Sequence, residues 1–301
     1  MTKPYNLPTG FLSPTQITQY MRCPACYEAE YVLRKPRRLS VSLPLGVAVH
    51  KGVEVMRSHL LAGEEWELDE CRQMATETFA KVIASRVEED SGAEAELDLG
   101  ARYQHIGMAV DHAADLAGFA ADQLYPVDRE RGLLATEVLV CNDPSLILPR
   151  DLERSGGQLE GDALALAWPF PVKGYIDAVY GAEGITLISD LKTTSKNVAP
   201  DTSAAIQTMM YARPIALEGP PPRVVIDSVV KTSFPQFHSY ELGEGVTSGV
   251  SQHHHDVVYG IVVDVAEEIS RGHFPPRPGF LCNYVHDVPG FSLVVDMEIN
   301  Q

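Results

Sequence analysis

The chain has no run of 18 apolar residues, so the sequence predicts no membrane-spanning helix. Its opening residues, MTKPYNLPTGF, lack the apolar core of a signal peptide. Cysteines number only five, an odd count in a long chain without such a leader. That points to a reducing compartment, with the cytoplasm as the default. Basic residues are few: 24 Lys and Arg against 41 Asp and Glu leave a net charge of −17. This excess excludes a protein that coats nucleic acid through bulk charge, but not one that grips it in a local groove. Also missing are a Gly-rich phosphate loop and a Gly-x-Ser-x-Gly nucleophile elbow, which argues against a small-molecule α/β enzyme. No repeat and no clear linker divides the 301 residues, so a single domain over 1–301 is expected.

The charges that are present are unevenly spread. Between Leu61 and Gly100 acids outnumber bases about fourfold. Arg34, Lys35, Arg37 and Arg38 cluster within five positions. Ser13 and Pro14 open a helix, with Gln16 completing a capping box and Pro24 ending or bending it. Helix continues over 26–33, and a polar basic link covers 34–42. A long helix starts at Leu45 and runs towards Leu61, with His50 and Glu54 on one face. Amphipathic helices fill 66–124 around an acidic turn at 88–96; the span 51–130 reads as a helical insertion or lid.

From Leu133 the period changes to two. Strands are expected over 134–141, 162–168, 171–180 and 185–192, with 142–161 a loop. A helix over 204–217 ends at Gly219 and the three prolines after it. A strand over 223–231 follows, which 237–242 can pair with, and a final helix spans 248–272. The fold class is therefore α/β, a mixed central β-sheet flanked by helices. His253, His254 and His255 read as a solvated patch at a helix start, with metal binding the alternative; Cys71 and Cys141 read as core.

The stretch richest in chemistry runs from Val172 to Tyr211. Two strands, 174–180 and 185–192, form a hairpin through a Gly-Ala-Glu-Gly link. Asp190 and Lys192 are two apart in an extended segment and so share a side of the sheet. Asp177 can reach the same place from the neighbouring strand. Two carboxylates and a lysine converging at strand ends can hold a divalent cation beside a water-activating amine. Taken alone, Asp-x-Lys is more often the solvated face of a strand; the ordered set around it decides otherwise.

That set comprises Cys23 in an Arg-Cys-Pro helix end, Gly46-x-x-x-His50, Glu137 in a strand, Gly174-x-Ile176-Asp177, Asp190-Leu191-Lys192 and Gln207-x-x-x-Tyr211. Gly272-x-Phe274-Pro275 and Pro278-Gly279-x-x-Cys282 close it. From Leu12 to Cys282 the order and spacing resemble the PD-(D/E)XK nuclease superfamily. Within it, the chain is similar to the RecB-type exonuclease branch, which includes the CRISPR-associated adaptation nucleases. The resemblance implies a restriction-endonuclease-like core with a helical N-terminal insertion, and a metal-dependent DNA nuclease serving recombination, repair or end processing. It implies His50, Asp177, Asp190 and the Leu191 carbonyl as ligands of Mg²⁺ or Mn²⁺, and Lys192 as the catalytic lysine. Gln207 and Tyr211 match the helix motif beside the active site, and Glu54 and Glu137 rank as extras. DNA is the implied partner, with a helicase or recombination protein beside it.

Two departures stand out. The proline of the family's name is Ile176 here. Many branch members hold an iron–sulfur cluster on one N-terminal and three C-terminal cysteines, and the last two are missing; Asn283-Tyr284-Val285-His286 stands there. Cys23, Cys26, Cys282 and His286 could form a four-ligand site instead, against the alternative of ordinary buried thiols. The expectation is a degenerate cluster that holds nothing. For the acidic chain, 34–38 and 192–196 are the expected phosphate contacts. A nuclease fold kept only for binding nucleic acid or protein is the alternative function.

Overall fold

Ser13 and Pro14 start α1 (Pro14–Arg22), as the sequence predicts. The Ser13 hydroxyl accepts the Gln16 backbone N–H at 3.3 Å. The Gln16 side chain instead accepts from Thr9 Oγ1 at 3.2 Å, so one half of the expected capping box forms. The computed structural model describes residues 5–35, 40–89, 98–158, 167–182, 185–197, 202–242 and 251–277. After α1 come α2 (Pro24–Tyr27), a π-helical turn (Glu28–Val32), α3 (Ser42–Ala62), α4 (Leu68–Glu89) and α5 (Ile106–Arg131). Then follow β1 (Leu133–Cys141), α6 (Pro149–Arg154), β2 (Gly157–Gln158), β3 (Lys173–Ala182) and β4 (Ile185–Thr194). Last are α7 (Thr202–Glu218), β5 (Arg223–Val230), β6 (Gln236–Glu241) and α8 (Gln252–Ser270).

Among the described residues the strands form one mixed sheet of six, in the order β2-β1-β3-β4-β5-β6. β1, β3 and β4 run antiparallel in turn, β4 and β5 are parallel across α7, and β6 returns antiparallel. Alternation along β4 explains the layering: Leu191 joins Val229 under α3, α4 and α5, while Ile188 joins Val224 under α1, α7 and α8. Each apolar side chain so buried contributes about 1.5–3 kcal/mol. Gly52 lets α3, α4 and α5 close up, since a Cβ there would lie 2.7 Å from Ala117 Cβ and 2.9 Å from the Cys71 carbonyl.

Three expectations change. Residues 142–161 are not all loop: α6 and β2 lie within them, and β2 pairs parallel with β1 through Val138 and Leu139. These elements are held by tertiary contacts rather than by propensity. Asp151 caps α6 through the Leu148 N–H at 2.7 Å, and binds Lys173 Nζ at 2.5 Å and the Tyr175 hydroxyl at 2.8 Å. The strand expected over 162–168 lies outside the described residues up to 166, and Ala167 is helical. In the triple histidine at the start of α8, His253 and His254 are exposed as expected, but His255 is buried because it faces the core side of the helix.

Between β1 and β3 the alternation reverses phase. Ala135 and Val179 pack on the α7 side of the sheet; so do Val138 and Ile176, three residues on rather than two. The reversal falls on the rung between Thr136–Ala178 and Val138–Ile176, occupied by Glu137 and Asp177. Glu137 has φ of +51°, the left-handed region, which makes the extra half-step.

Beneath this rung lies a buried ion pair. Arg57 of α3 donates Nε to Asp128 Oδ2 of α5 at 2.8 Å, and both are buried. Arg57 also donates to the Tyr180 hydroxyl at 3.1 Å and to the Asp177 carbonyl at 3.3 Å. Burial opposes the Arg57 charge, yet Tyr180 and Asp128 hold its pKa above the ordinary value. One side chain thus ties two helices to the strand that carries Asp177. Asp128→Ala leaves this guanidinium buried without its carboxylate. Urea unfolding should show a loss of about 3–5 kcal/mol, and a loss below about 1 kcal/mol would contradict the tie.

Candidate active site

The site opens where the β3–β4 ladder stops. The last backbone pair is Ala178–Ser189. Beyond it the Leu191 N–H donates not to a β3 carbonyl but to Asp177 Oδ2, at 2.7 Å. A carboxylate takes the ladder's place, and the two strands part. In an extended residue the N–H and C=O leave by the same edge, so the Leu191 carbonyl faces the Asp177 side as well.

On the α7 side of the gap, alternation sets Asp190 and Lys192 together. Lys192 Nζ donates to Asp190 Oδ1 at 3.0 Å and to Gln207 Oε1 of α7 at 3.0 Å. Asp190 Oδ2 lies 2.8 Å from Nζ but off the hydrogen-bond direction. It is buried and takes no hydrogen bond among the described residues. Burial pushes the Asp190 carboxyl up to about 6 against the pull of Lys192, with Asp177 adding to the rise. A buried, reluctant carboxylate oxygen that faces only an ammonium off the hydrogen-bond direction is suited to a cation.

On the α3 side, His50 Nδ1 lies 3.5 Å from Asp177 Oδ2. Donor atoms of His50, Glu137 and Asp177 all lie within 4.8 Å of one another. Burial raises Asp177, but His50 and Lys192 outweigh it and hold its carboxyl at about 2. Burial lowers His50, and Asp177 more than reverses this. Glu137 is raised by burial and by Asp177, with Arg154 opposing. Glu137 is the member the sequence ranked low. Nothing in a Thr-Glu-Val strand signals a left-handed backbone, so its convergence with His50 and Asp177 was not legible.

Tyr211 is buried, four residues on from Gln207 along α7. A Cβ on Gly174 would run into the Tyr211 hydroxyl and lie 2.9 Å from its ring carbons, so glycine lets this ring pack directly against β3. Burial, with Asp190 and Asp177 nearby, keeps that hydroxyl protonated by raising its pKa. A cavity of about 440 Å³ gives access from the α3 side, lined by Gly46, His50, Glu54, Glu137, Arg154 and Thr193 among others.

Of the remaining expected residues, Cys23 and Cys26 are both buried at the junction of α1 and α2. Cys282 and His286 lie outside the described residues, as do Arg37 and Arg38. Cys71 and Cys141 are core, as expected. Among the described residues no helix is long and apolar enough to cross a membrane.

The profile of the PD-(D/E)XK nuclease superfamily matches residues 11–284. The chain belongs to the PD-(D/E)XK nuclease superfamily. The Gene 69 protein of Mycobacterium phage L5 is 25% identical over 226 residues, covering 69% of this chain and 72% of its own. The Gene 69 protein of Mycobacterium phage D29 is 24% identical over 295 residues, covering 93% and 97%. The crystal structure of a protein from Eubacterium rectale described as a 'putative exonuclease' superposes with a TM-score of 0.46 at 12% identity. The match spans 91% of this chain and 86% of that one.

PD-(D/E)XK nucleases use divalent metals, and the donor set here fits such an ion: hard carboxylate oxygens, one imidazole and a buried Asp190 oxygen that takes no hydrogen bond among the described residues. Gly174→Ala should lower stability by about 1–3 kcal/mol through overpacking against Tyr211, read by thermal unfolding. Adding Tyr211→Phe removes the nearest atom of the clash and should restore part of the loss. No recovery in the double variant would place the strain elsewhere.

Proposed function

We propose that this nuclease cuts DNA, that it works as an exonuclease, and that His50, Glu137, Asp177 and Asp190 hold Mg²⁺ or Mn²⁺. The observation that carries the reading is the convergence of Lys192 with Asp190 and Gln207 beside the Asp177 carboxylate. When bound, the divalent ion supplies Lewis-acid polarisation of a phosphoryl oxygen and lowers the pKa of a bound water.

The chain's own residues supply the rest. Gln207 fixes Lys192 Nζ by accepting a hydrogen bond from it, which leaves the ammonium aimed between Asp190 and the gap. From there Lys192 orients the attacking water and offsets the charge that grows on the phosphorane-like transition state. Tyr211 and Gly174 fix the spacing between α7 and β3, and so the distance from Gln207 to Asp177. The Asp177 carboxyl, held ionised, is ready as a ligand at neutral pH. The bond broken is a P–O ester; water's oxygen ends on phosphorus, and a proton ends on the leaving oxygen.

The RecB-type pattern of motifs supports service in recombination, repair or end processing in the cytoplasm, alongside a helicase or recombination protein. The test is digestion of end-labelled linear DNA and closed circular DNA with Mg²⁺ or Mn²⁺, beside Lys192→Ala. Shortened linear DNA, intact circles and a rate at least about 10²-fold lower in the variant are expected. Wild type and variant inert alike with either metal would instead support a fold kept for binding.

A further inference from the structure

Arg154 belongs to none of the motifs, yet it stands at the mouth of the site. It ends α6, where Nε lies 2.8 Å and Nη2 2.6 Å from Glu137 Oε2. The Glu137 carboxylate is in turn within 4.8 Å of the His50 and Asp177 donors. The guanidinium is therefore one carboxylate away from the cation site. It also lines the 440 Å³ cavity with His50 and Glu54.

Neutralising Glu137 does not explain its exposure. The Glu137 side chain is 5% exposed and the Arg154 side chain 47%. Nε and Nη2 both address a single oxygen, and Nη1 has no hydrogen-bond partner among the described residues. Arg154 itself lines the cavity, so the N–H groups of its planar fork that Glu137 does not take are available there. Nor is the side chain loose. The Tyr175 ring lies 4.0 Å beneath Cζ, and Tyr175 is locked by its own hydroxyl on Asp151 at 2.8 Å. Asp151 is the residue that caps α6 and binds Lys173. The short helix thus presents one preorganised cation.

The charges around it point to an anion. Glu137, Asp177 and Asp190 are three carboxylates; Lys192 and Arg154 are the two fixed side-chain cations paired with them, since Lys51 is paired with Glu54. A divalent ion takes this group to one net positive charge, the complement of a single phosphodiester.

Building on the nuclease reading above, we propose that Arg154 is a substrate-contact residue, whose outer N–H groups bind a non-bridging oxygen of the DNA phosphodiester held at the cation site. Bidentate Arg–phosphate geometry suits this role, which lysine fills only in part.

The test uses oligonucleotides carrying one methylphosphonate, moved position by position, which removes one phosphate charge at a time. Binding is read by fluorescence anisotropy in Mg²⁺ on a Lys192→Ala background, with and without Arg154→Ala. Without Arg154→Ala, one position should weaken binding about 10–100-fold. With it, unmodified DNA should bind that much more weakly, and the penalty at that position should shrink to the part that the cation imposes. Arg154→Lys, which still neutralises Glu137 and guards against misfolding, should retain an intermediate penalty. The same penalties in both backgrounds would overturn the proposal and leave the nuclease reading intact, provided that wild type cuts DNA. Wild type that neither binds nor cuts DNA would sink both.

Discussion

Carboxylates that share a buried cleft repel each other and lose their water, so each must be given a cation or a hydrogen-bond donor. Glu137, Asp177 and Asp190 all sit under this constraint, and each has its own partner: Arg154, His50 and Lys192. The three partners come from three separate elements, α6, α3 and β4. Assembly of the site is thereby assembly of the fold, since none of these acids can be buried until its helix or strand has docked. Removal of a single partner strands an acid in the cleft and leaves the neighbouring acids repelling it.

The backbone meets this requirement with two irregularities. Glu137 in the left-handed region reverses the alternation of β1, and Asp177 opposite it lies where β3 reverses too. The Asp177 carboxylate then takes the Leu191 N–H that a ladder carbonyl would otherwise accept, so β3 and β4 separate there. Residues on the two faces of the sheet meet through that gap: Lys192 and Gln207 from the α7 side, His50 from the α3 side. Backbone strain of this kind, of order 1–3 kcal/mol, persists where the surroundings over-determine it. Here Arg57 and Thr136 do so, both donating to the Asp177 carbonyl.

Much of this was legible in the amino-acid sequence because it obeys local periods. Asp190 and Lys192 share a face by strand alternation, and Gln207 and Tyr211 by the helical repeat. Gly174 could be marked by its place in the motif, although only the structure shows that Tyr211 fills the space its side chain would need. What was not legible depends on contacts distant in sequence or on backbone that propensity does not encode. Arg57 and Asp128 are 71 residues apart. Asp151 caps α6 locally, and is anchored by Lys173 and Tyr175, more than twenty residues away in sequence. Glu137 has none of the residue types that favour a left-handed turn.

The central claim is that the Glu137–Asp177 rung, with His50, forms the cation site. Anomalous diffraction from crystals soaked in Mn²⁺ tests it most directly. The account predicts one peak within about 2.0–2.6 Å of His50 Nδ1 and of oxygens from both Glu137 and Asp177. A peak elsewhere on the chain, with these three side chains uncoordinated, would contradict it.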